Sequence, residues 1–140
     1  MVGPQGLFLV DTSVAVALVV ADHEHHDTTT RAVGNRILGL AGHAWFETFS
    51  VLTRIPPPAR RGPHEVAVLL AHDFPATQFL SNVGTEDLAR RLPELGLAGG
   101  AVYDALIGAT AVEHGCILLS RDRRAVNIYQ LLGASFELIG

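Results

Sequence analysis

Four acidic residues of the chain could act together in chemistry. Asp11 and Asp122 follow apolar stretches closely, whereas Glu47 and Asp104 lie in segments with helical periodicity. If those helices flank a sheet, all four carboxylates converge at one of its ends. Two carboxylates about 5 Å apart repel each other by roughly 3 kcal/mol at an effective dielectric constant of about 20. The common reason to keep such a cluster is a hard divalent cation that prefers oxygen ligands.

The chemistry that such a cluster predicts is phosphodiester hydrolysis. Mg²⁺ or Mn²⁺ held by carboxylates activates water and stabilises the transition state of an in-line displacement at phosphorus. The sequence must therefore provide elements that carry the four acids to one place.

The first of these elements is the apolar run of residues 7–10, which ends in Asp11. An apolar run without alternation is typical of a strand buried on both faces, as in parallel α/β sheets, where functional residues follow the carboxyl ends of strands. We expect Ser13 to open the next helix, over residues 14–18. The alternative is that Asp11 or Thr12 merely caps that helix.

Strands and helices alternate along the rest of the chain, which predicts an α/β/α sandwich with a central, mainly parallel sheet. No linker or repeat interrupts the pattern, so one domain over residues 1–140 is expected. Further strands are predicted at residues 77–80, 116–119 and 136–139. Helices are predicted at residues 28–40, 44–54, 63–71, from 85 to near 93, 101–112 and 123–131.

Two of the predicted helices carry the remaining acids. Trp45, Phe49 and Leu52 form a core stripe at helical spacing. Glu47 then lies on the side of Arg54, toward solvent or a polar cleft. The later helix has a second apolar stripe of mostly small residues, which allows close packing on a sheet. Its members are Val102, Ala105, Leu106, Ala109 and Val112. Asp104 lies beside this stripe in the first turn of the helix. The alternative for Asp104 is an acid that merely favours the helix dipole.

Composition limits the remaining function classes. The formal net charge is −4, and all ten cationic side chains are arginines. The absence of lysine excludes P-loop and Schiff-base chemistry. Arginine pairs and triplets occur at residues 60–61, 90–91 and 121–124; they could contact phosphates or simply form solvated faces.

Mean hydropathy of +0.31 and a hydrophobic content of 49% are high, which indicates a covered surface, an oligomer or partner interface. No apolar stretch is long enough to span a bilayer, and residues 1–5 lack the basic region of a secretory signal, so we expect a cytoplasmic protein. Cys116 lies in an apolar run and is expected in the core. Three histidines beside acids at residues 22–27 could bind a metal, but their spacing favours a solvated loop.

Four segments resemble the PIN-domain ribonucleases, and more closely the VapC toxins of bacterial toxin–antitoxin pairs. They are LVDTS (residues 9–13), WFETFSVLTR (45–54), YDALIGATA (103–111) and LLSRDRRA (118–125). Their order and spacing match over nearly the whole chain.

The resemblance implies a function for particular residues. It assigns Asp11, Glu47, Asp104 and Asp122 to an acidic site for Mg²⁺ or Mn²⁺, with Thr12 or Ser13 as a hydroxyl beside it. It implies an RNA substrate, a homodimer and a cognate VapB-like antitoxin that blocks the site. Arg121, Arg123 and Arg124 flank one of the acids and are expected to hold RNA phosphates. We expect the antitoxin in a groove along helices 14–20 and 44–54, with an arginine directed toward the acids.

Alternative functions share single features of this pattern. A haloacid-dehalogenase-type phosphatase needs a second acid where this chain has Ser13, and it needs a lysine; a receiver-type phosphorylation module fails for the same missing lysine. The remaining alternative is a catalytically weak PIN-like module that binds RNA or regulates. Independently of any family, crowded carboxylates should raise the pKa of at least one member of the cluster.

Overall fold

A four-stranded sheet lies at the centre of the computed structural model, which describes residues 7–140. The strands are β1 (Phe8–Val10), β2 (Leu38–Leu40), β3 (Ile117–Ser120) and β4 (Phe136–Leu138), in the order β2-β1-β3-β4. All three neighbouring pairs are parallel, and Val10 stands opposite both Leu40 and Leu119. The predicted α/β fold with a mainly parallel sheet is confirmed. The expectation about residues 1–5 lies outside the described residues.

Helices cover the sheet and connect its parallel strands. In residues 7–140 they are α1 (Thr12–Val19), α2 (His26–Val33), α3 (His43–Arg54), α4 (Pro63–Asp73), α5 (Asn82–Leu95), α6 (Ala101–Glu113) and α7 (Val126–Leu132). Pro63 begins α4 as predicted, since a first-turn proline loses no hydrogen bond. Within the same residues, no helix is long and apolar enough to cross a membrane.

The core is formed by the strands together with the apolar sides of the helices. Leu9, Val10 and Leu118 are completely buried in the sheet. On α3, Leu52 is buried while Trp45 and Phe49 are partly buried and stack with ring centroids 5.3 Å apart, as the predicted stripe requires. Cys116 is buried in the same core.

The predicted stripe of α6 is only partly correct. Ala105 is buried in a small cluster with Leu88 of α5, but Val112 is exposed. The core of the sheet contacts a different side of α6, with Ile107 and Ala111. Because α6 lies between the sheet and α5, it is apolar on more than one side, and a single stripe does not describe it.

The prediction of one helix over residues 28–40 is wrong, because α2 ends early and β2 follows. Gly34 has φ +62°, a conformation that favours glycine and that ends helices. β2 has only three residues, and its Gly39 lies against the backbone of Ala76, where a Cβ atom would clash. A strand this short is identified by its pairing with β1, which local sequence does not show.

The predicted strand at residues 77–80 is also absent. The segment makes one isolated bridge, from Gln78 to Ala41, and Pro75 before it makes another, to Gly39. The hydroxyl of Thr77 accepts a hydrogen bond from the backbone N–H of Leu40 at 2.9 Å. A side chain therefore replaces part of the strand pairing next to β2.

The expectation that Ser13 opens the first helix is wrong, because α1 begins at Thr12 with Asp11 as its N-cap. Two later helices begin three residues from the predicted position. α5 begins three residues earlier, because the hydroxyl of Ser81 accepts the N–H of Gly84 at 2.9 Å and caps the helix. It continues past Pro93, which lies in the last turn. α7 begins three residues later than predicted, because residues 123–125 form a turn after Asp122.

Candidate active site

Asp11 follows β1 and is almost completely buried, with 3% of its surface exposed. Its Oδ1 accepts the Ser13 hydroxyl at 2.6 Å and the Val14 N–H at 3.3 Å. Its Oδ2 accepts the Tyr129 hydroxyl at 2.9 Å. Asp11 therefore caps α1, as one interpretation predicted, while its carboxylate is also fixed from a second helix.

Tyr129 is the site residue that sequence reasoning missed. It lies on α7, is 1% exposed, and reaches Asp11 across 118 positions of sequence. A buried tyrosine hydroxyl usually finds a hydrogen-bond partner, which is the signal that could have indicated a polar group nearby. Burial raises the pKa of Tyr129, and the carboxylate of Asp11 raises it further, so the hydroxyl stays protonated and donates.

Ser13 joins the ends of two neighbouring strands. Its hydroxyl donates to Asp11 and accepts the backbone N–H of Arg121, which follows β3, at 2.8 Å. The loop after β3 is further held by the Ser120 hydroxyl, which accepts the N–H of Asp122 at 3.0 Å. The hydrogen bonds of Ser13 and Ser120 thus hold the two acids that follow strands, Asp11 and Asp122, in fixed positions relative to each other.

Glu47 of α3 is held by the start of α1. The Thr12 hydroxyl donates to its Oε1 at 2.7 Å, and His43 Nε2 lies 3.9 Å from its Oε2. Its side chain is 36% exposed and lines an open groove along α3 that ends at Arg54. This agrees with the prediction that Glu47 faces a polar cleft on the side of Arg54.

Asp104 lies within electrostatic reach of the other three acids, and its pKa is raised. Burial raises it first, and the charges of Asp122, Asp11 and Glu47 raise it further, to about 6; Arg124 opposes the rise only in part. Burial likewise raises the pKa of Asp11, against its hydrogen bonds. Neighbouring charges therefore contribute to the increase at Asp104, as expected for crowded carboxylates, whereas the increase at Asp11 comes from burial. Within residues 7–140 neither acid has an ion-pair partner within 4 Å.

The three arginines near Asp122 have different surroundings. Arg124 donates to Asp122 Oδ1 through its backbone N–H at 3.0 Å and through Nε at 3.4 Å. Arg123 is exposed. Arg121 is partly buried. Burial lowers the pKa of His23, and the charge of Arg121 lowers it further.

The cluster fits a cation through its charge and its donor atoms, although it is not a closed cage. In the described part of the chain, no three His, Cys, Asp or Glu side chains stand as a ready metal-binding group. This statement includes the histidines of residues 22–27. Mg²⁺ usually retains several waters and takes only one or two protein carboxylates directly. An open group of carboxylates with net negative charge is suited to such a hydrated ion.

Comparison with known proteins places this architecture in a family. Residues 8–131 match the PIN domain family. Ribonuclease VapC27 of Mycobacterium tuberculosis (strain ATCC 25618 / H37Rv) is 44% identical over 124 residues, covering 89% of this chain and 90% of VapC27. This chain belongs to the PIN-domain family, among the VapC ribonucleases. Ribonuclease VapC40 of Mycobacterium tuberculosis (strain CDC 1551 / Oshkosh) is also 44% identical, over 131 residues, covering 92% of this chain and 96% of VapC40.

Solved structures of VapC proteins share the fold. VapBC2 from Rickettsia felis, crystallised with a DNA fragment from its promoter, has a TM-score of 0.69 at 13% identity, covering 96% of this chain and 99% of the other. Mycobacterium tuberculosis VapC20, a Sarcin-Ricin loop cleaving toxin, has a TM-score of 0.64 at 22% identity, covering 86% and 93%. The resemblance to VapC toxins is confirmed; the roles of the individual acids stay predictions.

Proposed function

We propose that this VapC protein is a Mg²⁺- or Mn²⁺-dependent endoribonuclease, the toxin of a toxin–antitoxin pair, and that it inhibits translation by cleaving RNA. The observation that carries the proposal is the raised pKa of Asp104, about 6, to which burial contributes most and the charges of Asp122, Asp11 and Glu47 contribute further. Such repulsion costs stability, and a divalent cation offsets it.

Asp11, Glu47, Asp104 and Asp122 would hold the cation, directly or through its waters. When bound there, Mg²⁺ or Mn²⁺ supplies positive charge for the phosphoryl transition state and lowers the pKa of a coordinated water. The four proposed ligands are all carboxylates, which favours these hard cations over zinc.

The chain's own residues contribute fixed geometry to this site. Tyr129 and Ser13 hold the two oxygens of Asp11, and Thr12 holds one oxygen of Glu47. These hydroxyls restrict the rotamers of the acids, so the acid side chains lose less conformational entropy when substrate binds. Asp104 has no such donor within residues 7–140, and with a pKa of about 6 it is mostly ionised at neutral pH.

We further propose the partners that the family implies: an RNA substrate, a VapB-like antitoxin and a second copy of this chain, with residues 1–140 as one domain. The groove beside Glu47, about 360 Å³ and open along α3, supports the α3 part of the expected antitoxin site; from α1 it contains only Thr12 and none of residues 14–20. Arg121, Arg123 and Arg124 are the proposed RNA contacts.

The test is cleavage of a panel of structured RNAs with Mn²⁺ and with EDTA. Wild type should cleave only with Mn²⁺, and Asp104→Asn should lose about 100-fold or more in rate, since metal-assisted charge stabilisation is worth several kcal/mol. Asp87→Asn, which removes an exposed carboxylate from α5, is the matched control and should cleave normally. Equal cleavage by Asp104→Asn and wild type would contradict the site, and RNA binding without cleavage would favour the regulatory module.

A further inference from the structure

Resting on the proposed nuclease function, we propose that His43 and Tyr103 form a stacking platform for a base of single-stranded RNA beside the phosphate to be cleaved. Neither residue belongs to the acidic cluster. The ligand class is an unpaired nucleobase, bound through its ring face rather than through its hydrogen-bonding edge.

The platform consists of two aromatic rings that join two helices. The rings of His43 on α3 and Tyr103 on α6 are stacked, with centroids 4.8 Å apart and an interplanar angle of 15°. Tyr103 is 49% exposed. Tyr103 directly precedes Asp104 in the chain, and His43 Nε2 lies 3.9 Å from Glu47 Oε2. The same two helices thus present the aromatic pair and two of the four acids.

Neighbouring rings extend this surface. Phe46 is 57% exposed and Phe79 is 50% exposed, with centroids 6.2 Å apart. Phe46 lines the groove along α3 together with His43, and Arg54 lies farther along that groove. Large exposed aromatic side chains that are grouped together mark a binding surface more often than isolated ones do.

Single-stranded RNA matches this combination of groups. Proteins recognise unpaired bases mainly by stacking them on aromatic side chains, with cationic residues along the phosphates. A cleaving site also needs its substrate held on each side of the reacting phosphate, because small misplacements are costly in rate. Tyr103, which is adjacent in sequence to Asp104, and His43, which lies close to Glu47, would supply that positioning. Stacking is tolerant of base identity, so the platform would favour unpaired over paired RNA rather than one sequence.

The experiment measures binding rather than cleavage. Fluorescence anisotropy with a short 2′-O-methylated single-stranded RNA, which keeps its bases and phosphates and resists hydrolysis, is recorded in Ca²⁺, another oxygen-binding cation. Tyr103→Leu should weaken binding about tenfold, within the range for loss of one base–aromatic stack. Tyr103→Phe, which keeps the ring, should bind like wild type. Ile37→Ala is the control, since Ile37 is 64% exposed and precedes β2 at the opposite end of the sheet.

An abasic scan of the same RNA identifies the stacked base. At one abasic position the difference between wild type and Tyr103→Leu should disappear, because neither protein then has a base to stack. Unchanged affinity in Tyr103→Leu would overturn the platform even if the protein cleaves RNA, as would a wild type that binds no RNA. Loss of binding together with dissociation of a dimer, seen by light scattering, would assign the rings to a protein interface instead. Normal platform behaviour in a protein that never cleaves would refute only the nuclease proposal.

Discussion

Asp11 and Asp104 are the same residue type in one cluster, yet their surroundings are opposite. Asp11 is buried, and three groups from α1 and α7 donate to its two oxygens. Asp104 is only partly buried, accepts no hydrogen bond within residues 7–140, and is surrounded by other acids that help to raise its pKa to about 6. Hydrogen bonds hold the carboxylate of Asp11 in place, whereas that of Asp104 has no hydrogen-bond or ion-pair partner within residues 7–140. We propose that the charge of Asp104 is left for the cation, so that different residues supply the fixed geometry and the free carboxylate.

The largest expected effect concerns the structural role of Asp11. Asp11→Ala should be less stable than Asp11→Asn by about 2–4 kcal/mol, because both changes remove the charge but only alanine removes the acceptor for Val14 and leaves the buried Tyr129 hydroxyl without a partner. Urea unfolding of both variants at pH 7 in EDTA measures the difference. Equal stability would mean that these hydrogen bonds contribute nothing, and the contrast with Asp104 would fail.

A smaller, opposite effect is expected for Asp104 and depends on pH. The pKa of Asp104 is raised from 3.8 to about 6 in the folded protein. Between these pH values the folded state therefore binds more protons than the unfolded state does. The free energy of unfolding of the metal-free protein consequently falls as pH rises from about 4 to about 6. Asp104→Asn should not lose stability in this way, and its free energy of unfolding at pH 7 should exceed that of wild type by about 1–2 kcal/mol. The full shift would correspond to about 3 kcal/mol, which water screening at a half-exposed carboxyl reduces.

Urea unfolding in EDTA from pH 4 to pH 8 compares the two proteins. Asp87→Asn controls for the loss of one negative charge elsewhere. If Asp104→Asn is less stable than wild type at pH 7, then Asp104 serves as a helix-dipole acid, and the comparison with Asp11 has to be withdrawn.

The smallest expected effect concerns RNA phosphates. Each phosphate contact removed should reduce the salt slope of single-stranded RNA binding by about 0.7. Arg123→Ala/Arg124→Ala should therefore flatten that slope, although Arg124 also pairs with Asp122. Arg90→Ala/Arg91→Ala on α5 is the matched control, as both arginines lie near Asp87. An unchanged slope in the first variant would show that its charges are merely solvated.

The sequence predicted the parts of the fold that have strong local signals. The apolar runs of β1 and β3 end in polar residues, and the stripe of α3 leaves Glu47 on a polar side, so the parallel sheet and the direction of Glu47 could be inferred. The strand β2 could not be inferred, because three residues are too few to show a hydrophobic periodicity. The glycine at position 39 is explained only by its contact with Ala76. The same holds for Tyr129, whose partner is 118 residues away. Long-range contacts, rather than local preferences, decide these positions.

The most direct test of the central claim is the effect of Mn²⁺ on stability in wild type and Asp104→Asn. If the uncompensated carboxylates exist to hold a cation, Mn²⁺ at about 100 times its dissociation constant should stabilise wild type by about 2.7 kcal/mol. Asp104→Asn should gain much less under the same conditions. Thermal unfolding of both proteins in EDTA and in Mn²⁺ provides the four values required. Equal stabilisation of the two proteins, or none in wild type, would contradict the account.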